Sequence, residues 1–251
     1  MFTKNLTLLL VFLYCGTAFA AHPLITDDTG TQGKGKSQVE FNAEYGHECE
    51  EGLTTSTAEI AAILSYGLMD DIDIVFGIPY KYINKDDSET TATDDGISDI
   101  SNELKWRFYE QNGLSFALKP GISLPTGDDK KGLGAGKTAY SAFFITTKES
   151  NPWLFHLNLG YTRNENRVDE RKDVWHASLA AELKIAEGLK AVANIGAKRN
   201  TDKSSNTGPA FILGGIVYSI RENFDVDFGV KRGLNKPETD SSILAGAAMR
   251  F

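Results

Sequence analysis

The stretch QVEFNAEYG, at residues 38–46, alternates apolar and polar side chains with a period of two. One face carries Val39, Phe41, Ala43 and Tyr45, and the other carries Gln38, Glu40, Asn42 and Glu44. Strict alternation of this kind predicts a β-strand that is apolar on one side and wetted on the other. A helix would repeat every 3.6 residues, which this stretch does not do.

The same alternation continues to the end of the chain and predicts eleven further strands. They lie at residues 58–68, 71–82, 98–109, 114–124, 138–147, 153–163, 174–185, 189–199, 210–220, 224–232 and 242–251. The connections alternate in length: KESNP, after the sixth strand, is short, whereas NKDDSETTATDDG at 84–96, after the third, is long and polar. Transmembrane barrels have short periplasmic turns and longer extracellular loops.

A soluble β-sandwich is the alternative for each strand taken singly. Two features favour a membrane barrel. Aromatic residues flank the apolar faces at both ends, as membrane interfaces favour, and charged residues occupy the middle of the opposite faces. Closure also removes exposed strand edges. The sequence therefore predicts an all-β fold, a 12-stranded antiparallel transmembrane β-barrel over residues 37–251, in the outer membrane of a Gram-negative type of cell with both termini periplasmic.

Two segments precede the barrel. Residues 1–20 combine Lys4, an apolar run and the small residues Ala18 and Ala20, which predicts a cleaved signal peptide. Residues 21–36 lack alternation and enter the first strand at the periplasmic rim. This periplasmic N-terminal segment is either a loose tail or a strap folded up into the lumen, and Thr26, Asp27 and Asp28 suit hydrogen bonding to a basic inner wall.

Several stretches together resemble a family of outer-membrane transporter barrels described as the putative MetA-pathway phenol-degradation family. They are HPLITDDTGTQGKGKSQVE at 22–40, YGLMDDIDIVFGIPY at 66–80, GISDISNELKWRFYE at 96–110, LPTGDDKKGLGAGK at 124–137, GIVYSIRENFDVDFGVKRGLN at 215–235 and ILAGAAMRF at 243–251. The resemblance implies a barrel that passes small solutes, aromatic or hydrophobic compounds among them. It assigns no role to individual residues. The last strand, ending at Phe251, resembles the insertion signal of outer-membrane barrels, which implies the barrel insertion machinery as a partner.

No motif predicts catalysis, a metal or a cofactor. His47 and Cys49 supply two soft ligands where a zinc site needs three or four. The acidic loop at 84–95 lacks the spacing of a calcium loop, and Ser178 with His176 lacks an orienting third group. The net charge of −8 argues against a nucleic-acid partner. We therefore expect no enzyme.

The inward faces of strands two to five predict a charged lumen wall. A turn centred near residue 70 sets Glu59 opposite Lys81, and one near 111 sets Glu103 opposite Lys119. A loop centred near 90 sets Lys81 opposite Asp99 and Asp73 opposite Arg107. The predicted solute path is lined by Glu59, Lys81, Asp99, Glu103, Lys105, Arg107 and Lys119. Its lysines and Arg107 form a basic stripe that would favour anionic or polar-headed solutes.

The predicted function is an outer-membrane channel or facilitator for small solutes, embedded in outer-membrane lipid. Two alternatives remain at this stage: a hydrolase that acts on lipid at the outer leaflet, and a non-conducting barrel for adhesion or envelope structure. A Ser/His pair at the membrane interface would favour the first, and a lumen filled by side chains would favour the second.

Overall fold

The computed structural model describes residues 22–50, 52–87 and 90–251. The predicted signal peptide at 1–20 lies outside these residues. The described chain forms one sheet of thirteen strands and a short 3-10 turn, Asp129–Lys131. The strands are β1 Ser37–Glu50, β2 Leu53–Met69, β3 Ile72–Asp86, β4 Thr91–Ile97, β5 Ile100–Gln111, β6 Leu114–Leu124, β7 Ala139–Ser150, β8 Trp153–Arg163, β9 Asp173–Ala186, β10 Leu189–Lys198, β11 Ala210–Arg221, β12 Phe224–Gly233 and β13 Ser241–Arg250.

The sheet closes on itself, since β1 pairs with β2 on one side and with β13 on the other. Every pairing is antiparallel, and β4 and β5 both pair with β3, along its outer and inner halves. These two short strands are therefore successive parts of one barrel strand. The prediction of a closed 12-stranded antiparallel barrel is confirmed. No helix in the described part of the chain is long and apolar enough to cross a membrane.

The prediction of a loop at residues 84–96 is wrong for most of that range, where the structure has strands. Asp86 lies opposite Thr91 and Lys81 opposite Gly96, so β3 and β4 extend the barrel wall outward as a hairpin. In the same way, β1 and β2 continue until Glu50 pairs with Leu53. The apolar–polar alternation fades there because a strand with water on both faces needs no apolar side. The β-branched residues Thr91 and Thr93 still suit a strand.

The outer surface of the barrel is apolar, as the alternation predicts. Phe41 is 58% exposed and Ile60 57% exposed, although both are large apolar side chains in the middle of strands. Their neighbours on the opposite face are polar. Leu157 on β8 is exposed, for example, whereas Asn158 is buried inside the barrel. Closure pairs the backbone of each strand with a neighbour on both sides, and the apolar exterior suits contact with lipid. The fold is that of an outer-membrane protein.

Candidate functional site

The N-terminal segment, residues 22–36, lies inside the barrel against its inner wall. The amides of Ile25 and Thr26 donate to Asn194 Oδ1 on β10 at 2.8 and 3.1 Å. Further along, the Thr29 amide donates to Thr147 Oγ1 on β7 at 3.1 Å. The Gln32 amide reaches the carboxylate of Asp73 on β3 at 2.9 Å. The N-terminal segment thus follows the inside of the barrel past successive strands and satisfies its backbone amides with wall side chains.

Inward-facing glycines make room for the N-terminal segment. A Cβ atom at Gly229 on β12 would lie 2.8 Å from Pro23 Cβ, and one at Gly67 on β2 would lie 1.9 Å from the Gly33 carbonyl oxygen. Both distances are far below van der Waals contact, so only glycine allows the segment to sit this close. The alternation pattern does not single out these glycines. Gly at an inward position of a strand is the signal that could have indicated a second chain segment against the wall.

Asp27 joins the N-terminal segment to two lysines of the wall. Its Oδ1 lies 2.8 Å from Lys105 Nζ on β5, and its Oδ2 lies 3.0 Å from Lys119 Nζ on β6. Lys119 Nζ also lies 2.8 Å from Glu103 Oε2. With a lysine ammonium within 3.0 Å of each of its oxygens, the Asp27 carboxyl is placed to form ion pairs in its charged form.

A cavity of about 380 Å³ remains between the N-terminal segment and the opposite wall. Strands β1, β2, β3, β5 and β6 form that wall, and its charged lining residues are Asp27, Glu40, Glu59, Asp73, Glu103, Lys105 and Lys119. The backbone amides of Ile25, Asp27 and Thr29 bond to β10, β8 and β7 on the other side, whereas the Gln32 amide bonds to Asp73 on β3. The segment thus fills the part of the lumen beside β7 to β10 and leaves a charged cavity beside β1 to β3, β5 and β6.

Two of the four predicted charge pairs occur. Glu59 lies opposite Lys81 in the strand register. Glu103 forms an ion pair with Lys119, although the residue directly opposite Glu103 is Gly121, so this pair is diagonal.

The other two predicted pairs are wrong. Gly96 rather than Asp99 lies opposite Lys81, and Lys105 rather than Arg107 lies opposite Asp73. The partner of Lys81 lies three residues earlier in the chain than predicted and that of Asp73 two residues earlier, so the pairing with β3 shifts by one residue between β4 and β5. Asp99 instead accepts hydrogen bonds from the amides of the 124–137 connection, and Arg107 forms an ion pair with Glu110 at 3.2 Å.

His156 on β8 takes part in a buried hydrogen-bond network within the wall. Its Nδ1 lies 2.9 Å from Thr147 Oγ1, and its Nε2 lies 3.1 Å from Glu182 Oε1. Glu182 also accepts from Lys190 Nζ at 2.8 Å. Because Thr147 Oγ1 accepts the amide of the N-terminal segment, this buried chain of contacts fixes one of the segment's anchors.

Ser178 and His176 do come together, with His176 Nε2 and Ser178 Oγ 3.0 Å apart. The same Ser178 Oγ accepts a hydrogen bond from Thr26 Oγ1 at 2.7 Å, so the N-terminal segment covers it. His47 and Cys49 lie in the outer hairpin, where Cys49 is exposed. In the described part of the chain no group of three or more His, Cys, Asp or Glu side chains could hold a metal ion.

A second cavity, of about 320 Å³, lies toward the outer end of the lumen. Phe143 on β7 lines it, together with Val174, His176, Lys198 and one carboxylate, Glu170, which accepts a hydrogen bond from Asn164. The Phe143 ring lies over Gly160 of β8, where a Cβ atom would be only 2.3 Å from the ring. The same ring contacts the His176 ring edge to face, with 5.6 Å between centroids. An aromatic surface beside a lysine thus borders the outer part of the lumen.

A closed barrel with an apolar exterior and a charged, partly open interior defines an outer-membrane β-barrel. The chain belongs to the family described as "Putative MetA-pathway of phenol degradation", whose model matches residues 20–251. No curated protein shows significant similarity to the sequence.

Solved structures of the same fold share little sequence identity with this chain. An outer membrane channel from Pseudomonas putida F1 is similar with a TM-score of 0.68 and 14% identity, over 89% of this chain and 98% of that one. The KdgM porin has a TM-score of 0.55 and 9% identity, over 85% and 99% of the two chains. The NanC porin has a TM-score of 0.52 and 8% identity, over 85% and 98%. These likenesses establish the fold.

Proposed function

We propose that the protein is a passive channel for small solutes across the outer membrane. The observation that carries the proposal is the cavity of about 380 Å³ between the N-terminal segment and the wall of β1 to β3, β5 and β6, lined by charged and polar side chains. Charged linings of this kind suit a hydrated path and would be costly in a dry core. The similar folds of a channel and of two porins support the same function. Passive diffusion needs no catalytic residue or cofactor, and we propose that the protein is not an enzyme.

In this proposal the solute path is lined by Glu59, Glu103, Lys105 and Lys119, which all border the cavity. Lys81, opposite Glu59, contributes to the same wall. Asp99 has a different role, because its carboxylate holds the long outer connection in place through two backbone amides. Phe251, 68% exposed at the end of the chain, remains our candidate for the insertion signal.

Narrowing the cavity should reduce conductance. Ala61 lines the cavity, whereas Ala62, the next residue on β2, lies opposite Phe41 and Ile78 on the outer face. We expect Ala61→Trp to lower single-channel conductance in planar bilayers by about half or more, because the indole fills a narrow path. Ala62→Trp places the same side chain in lipid and should leave conductance unchanged. Equal conductance in both variants and the wild type would contradict the proposed path.

The outer cavity supports small aromatic solutes as one class that passes. Phe143 offers a ring, and Lys198 offers a charge that forms no ion pair within the described residues. An aromatic carboxylate matches both features. An aromatic pair contributes about 0.5–1.5 kcal/mol beyond its buried area.

Benzoate is therefore expected to reduce the channel current from the outer side, and Phe143→Ala should raise the half-blocking concentration about two- to tenfold. Phe144→Ala is the matched control, because the Phe144 ring lies on the lipid-facing side of β7 and stacks on Phe116, with 5.7 Å between centroids. Identical benzoate block in the wild type and Phe143→Ala would remove this cavity from the solute path.

A further inference from the structure

We propose that Asp27, in the N-terminal segment, sets the charge selectivity of the channel by neutralising two lysines of the pore wall. The inference rests on the proposed function, because selectivity is a property of a conducting path. It replaces the predicted basic stripe, since Lys105 and Lys119 are engaged by a carboxylate that lies far from them in sequence.

The ion pairs share one carboxylate between two strands. Each oxygen of Asp27 faces one lysine, Lys105 at 2.8 Å and Lys119 at 3.0 Å. Glu103 contacts Lys119 at 2.8 Å, and Asp28 lies farther from Lys105, with 4.0 Å between its Oδ1 and the lysine Nζ. Without the Asp27 charge, Lys119 would keep only Glu103 and Lys105 would keep only the more distant Asp28. The wall next to the cavity would then change by one full charge toward positive.

The position of Asp27 does not depend on its own side chain. Its amide donates to Asn158 Oδ1 at 2.8 Å, and its carbonyl oxygen accepts from Asn158 Nδ2 at 2.8 Å. The neighbouring Thr26 is fully buried and bonded to Ser178. This two-point contact with β8 keeps the segment in place when the carboxylate is replaced by an amide of the same shape. Asp27→Asn thus changes charge with little change of structure.

The three charged groups also border the solute path. The side chains of Asp27, Lys105 and Lys119 are 22%, 11% and 17% exposed, and all three line the 380 Å³ cavity. The Debye length at physiological ionic strength is about 8 Å, comparable to the width of such a cavity. An ion in the cavity therefore experiences these charges with little screening. Of the remaining carboxylates that line it, Glu59 lies opposite Lys81, whereas Glu40 and Asp73 add negative charge that favours cations.

Reversal potentials under a KCl gradient test the inference in the full-length mature protein. We expect the wild type to prefer K⁺ over Cl⁻ and Asp27→Asn to shift the permeability ratio toward Cl⁻ by about twofold or more. Asp202→Asn is the matched control, because Asp202 bears the same charge in an exposed outer loop where its carboxylate accepts from Ser204. That variant should keep the wild-type ratio.

Two further variants separate charge from structure. Lys119→Gln alone should shift the ratio toward K⁺, and Asp27→Asn combined with Lys119→Gln should restore a ratio close to that of the wild type. If Asp27→Asn alone fails to insert, the difference between the double variant and Lys119→Gln still isolates the effect of the Asp27 charge. A conducting wild type whose reversal potential is the same in Asp27→Asn and Lys119→Gln would overturn the inference. A wild type without conductance would instead overturn the proposed function.

Discussion

Deleting residues 22–34 is expected to raise single-channel conductance by about twofold or more and to weaken discrimination among solutes. The N-terminal segment occupies the half of the lumen beside β7 to β10, and its backbone is held there by Asn158 and Asn194. Removing it leaves the polar side chains of the wall in water rather than unpaired in a dry core, so the barrel itself should persist.

Barrel integrity in that deletion is checked by migration on an unheated gel, since a closed barrel runs compactly until it is boiled. Asn158→Ala combined with Asn194→Ala keeps the full chain and removes anchors at two points of the segment. We expect this double variant to show frequent transitions between the wild-type and the larger conductance level. Unchanged conductance in an inserted deletion variant would show that the N-terminal segment does not limit the path.

The barrel was predictable from the sequence because lipid and water impose opposite demands on alternate residues. Phe41 and Glu40, one residue apart, must face different media, so the pattern assigns both faces and the strand count. The outer hairpin of β3 and β4 escaped prediction for the same reason. Beyond the membrane both faces meet water, and residues 91–97 show no apolar side to reveal the strand. The missed strand changed the turn position and therefore two of the predicted charge pairs.

The lumen was only half predictable. The inward direction of Lys105 and Lys119 follows from alternation, but their neutralisation by Asp27 depends on the path of a segment 78 or more residues away. Sequence reasoning left that segment as either a tail or a strap, because its threonines and aspartates suit both. Inward glycines carry the missing information. Gly229 and Gly67 lie where Pro23 and Gly33 approach the wall. The role of these two wall glycines can be recognised only once it is known which residues of each strand point into the lumen.

The largest expected change in stability comes from an arginine on the lipid side of β2. We expect Ala62→Arg to lower the free energy of unfolding by about 2–4 kcal/mol, the cost of an arginine near the bilayer midplane. Ala62 lies between Phe41 on β1 and Ile78 on β3. The guanidinium of the new arginine would either lose its contact with water or keep that contact by distorting the bilayer.

Ala61→Arg, one residue earlier, provides the control because the added side chain points into the charged cavity. Asn42 lies opposite it, and Glu59 shares its face of β2. Water and carboxylates can solvate the guanidinium there, so the cost should be much smaller than at residue 62. Denaturant titration of the protein in lipid vesicles, followed by the fluorescence of its tryptophans, measures both variants. A reversed order of the two costs would mean that the register of β2 is shifted by one residue, since such a shift moves every side chain to the other face.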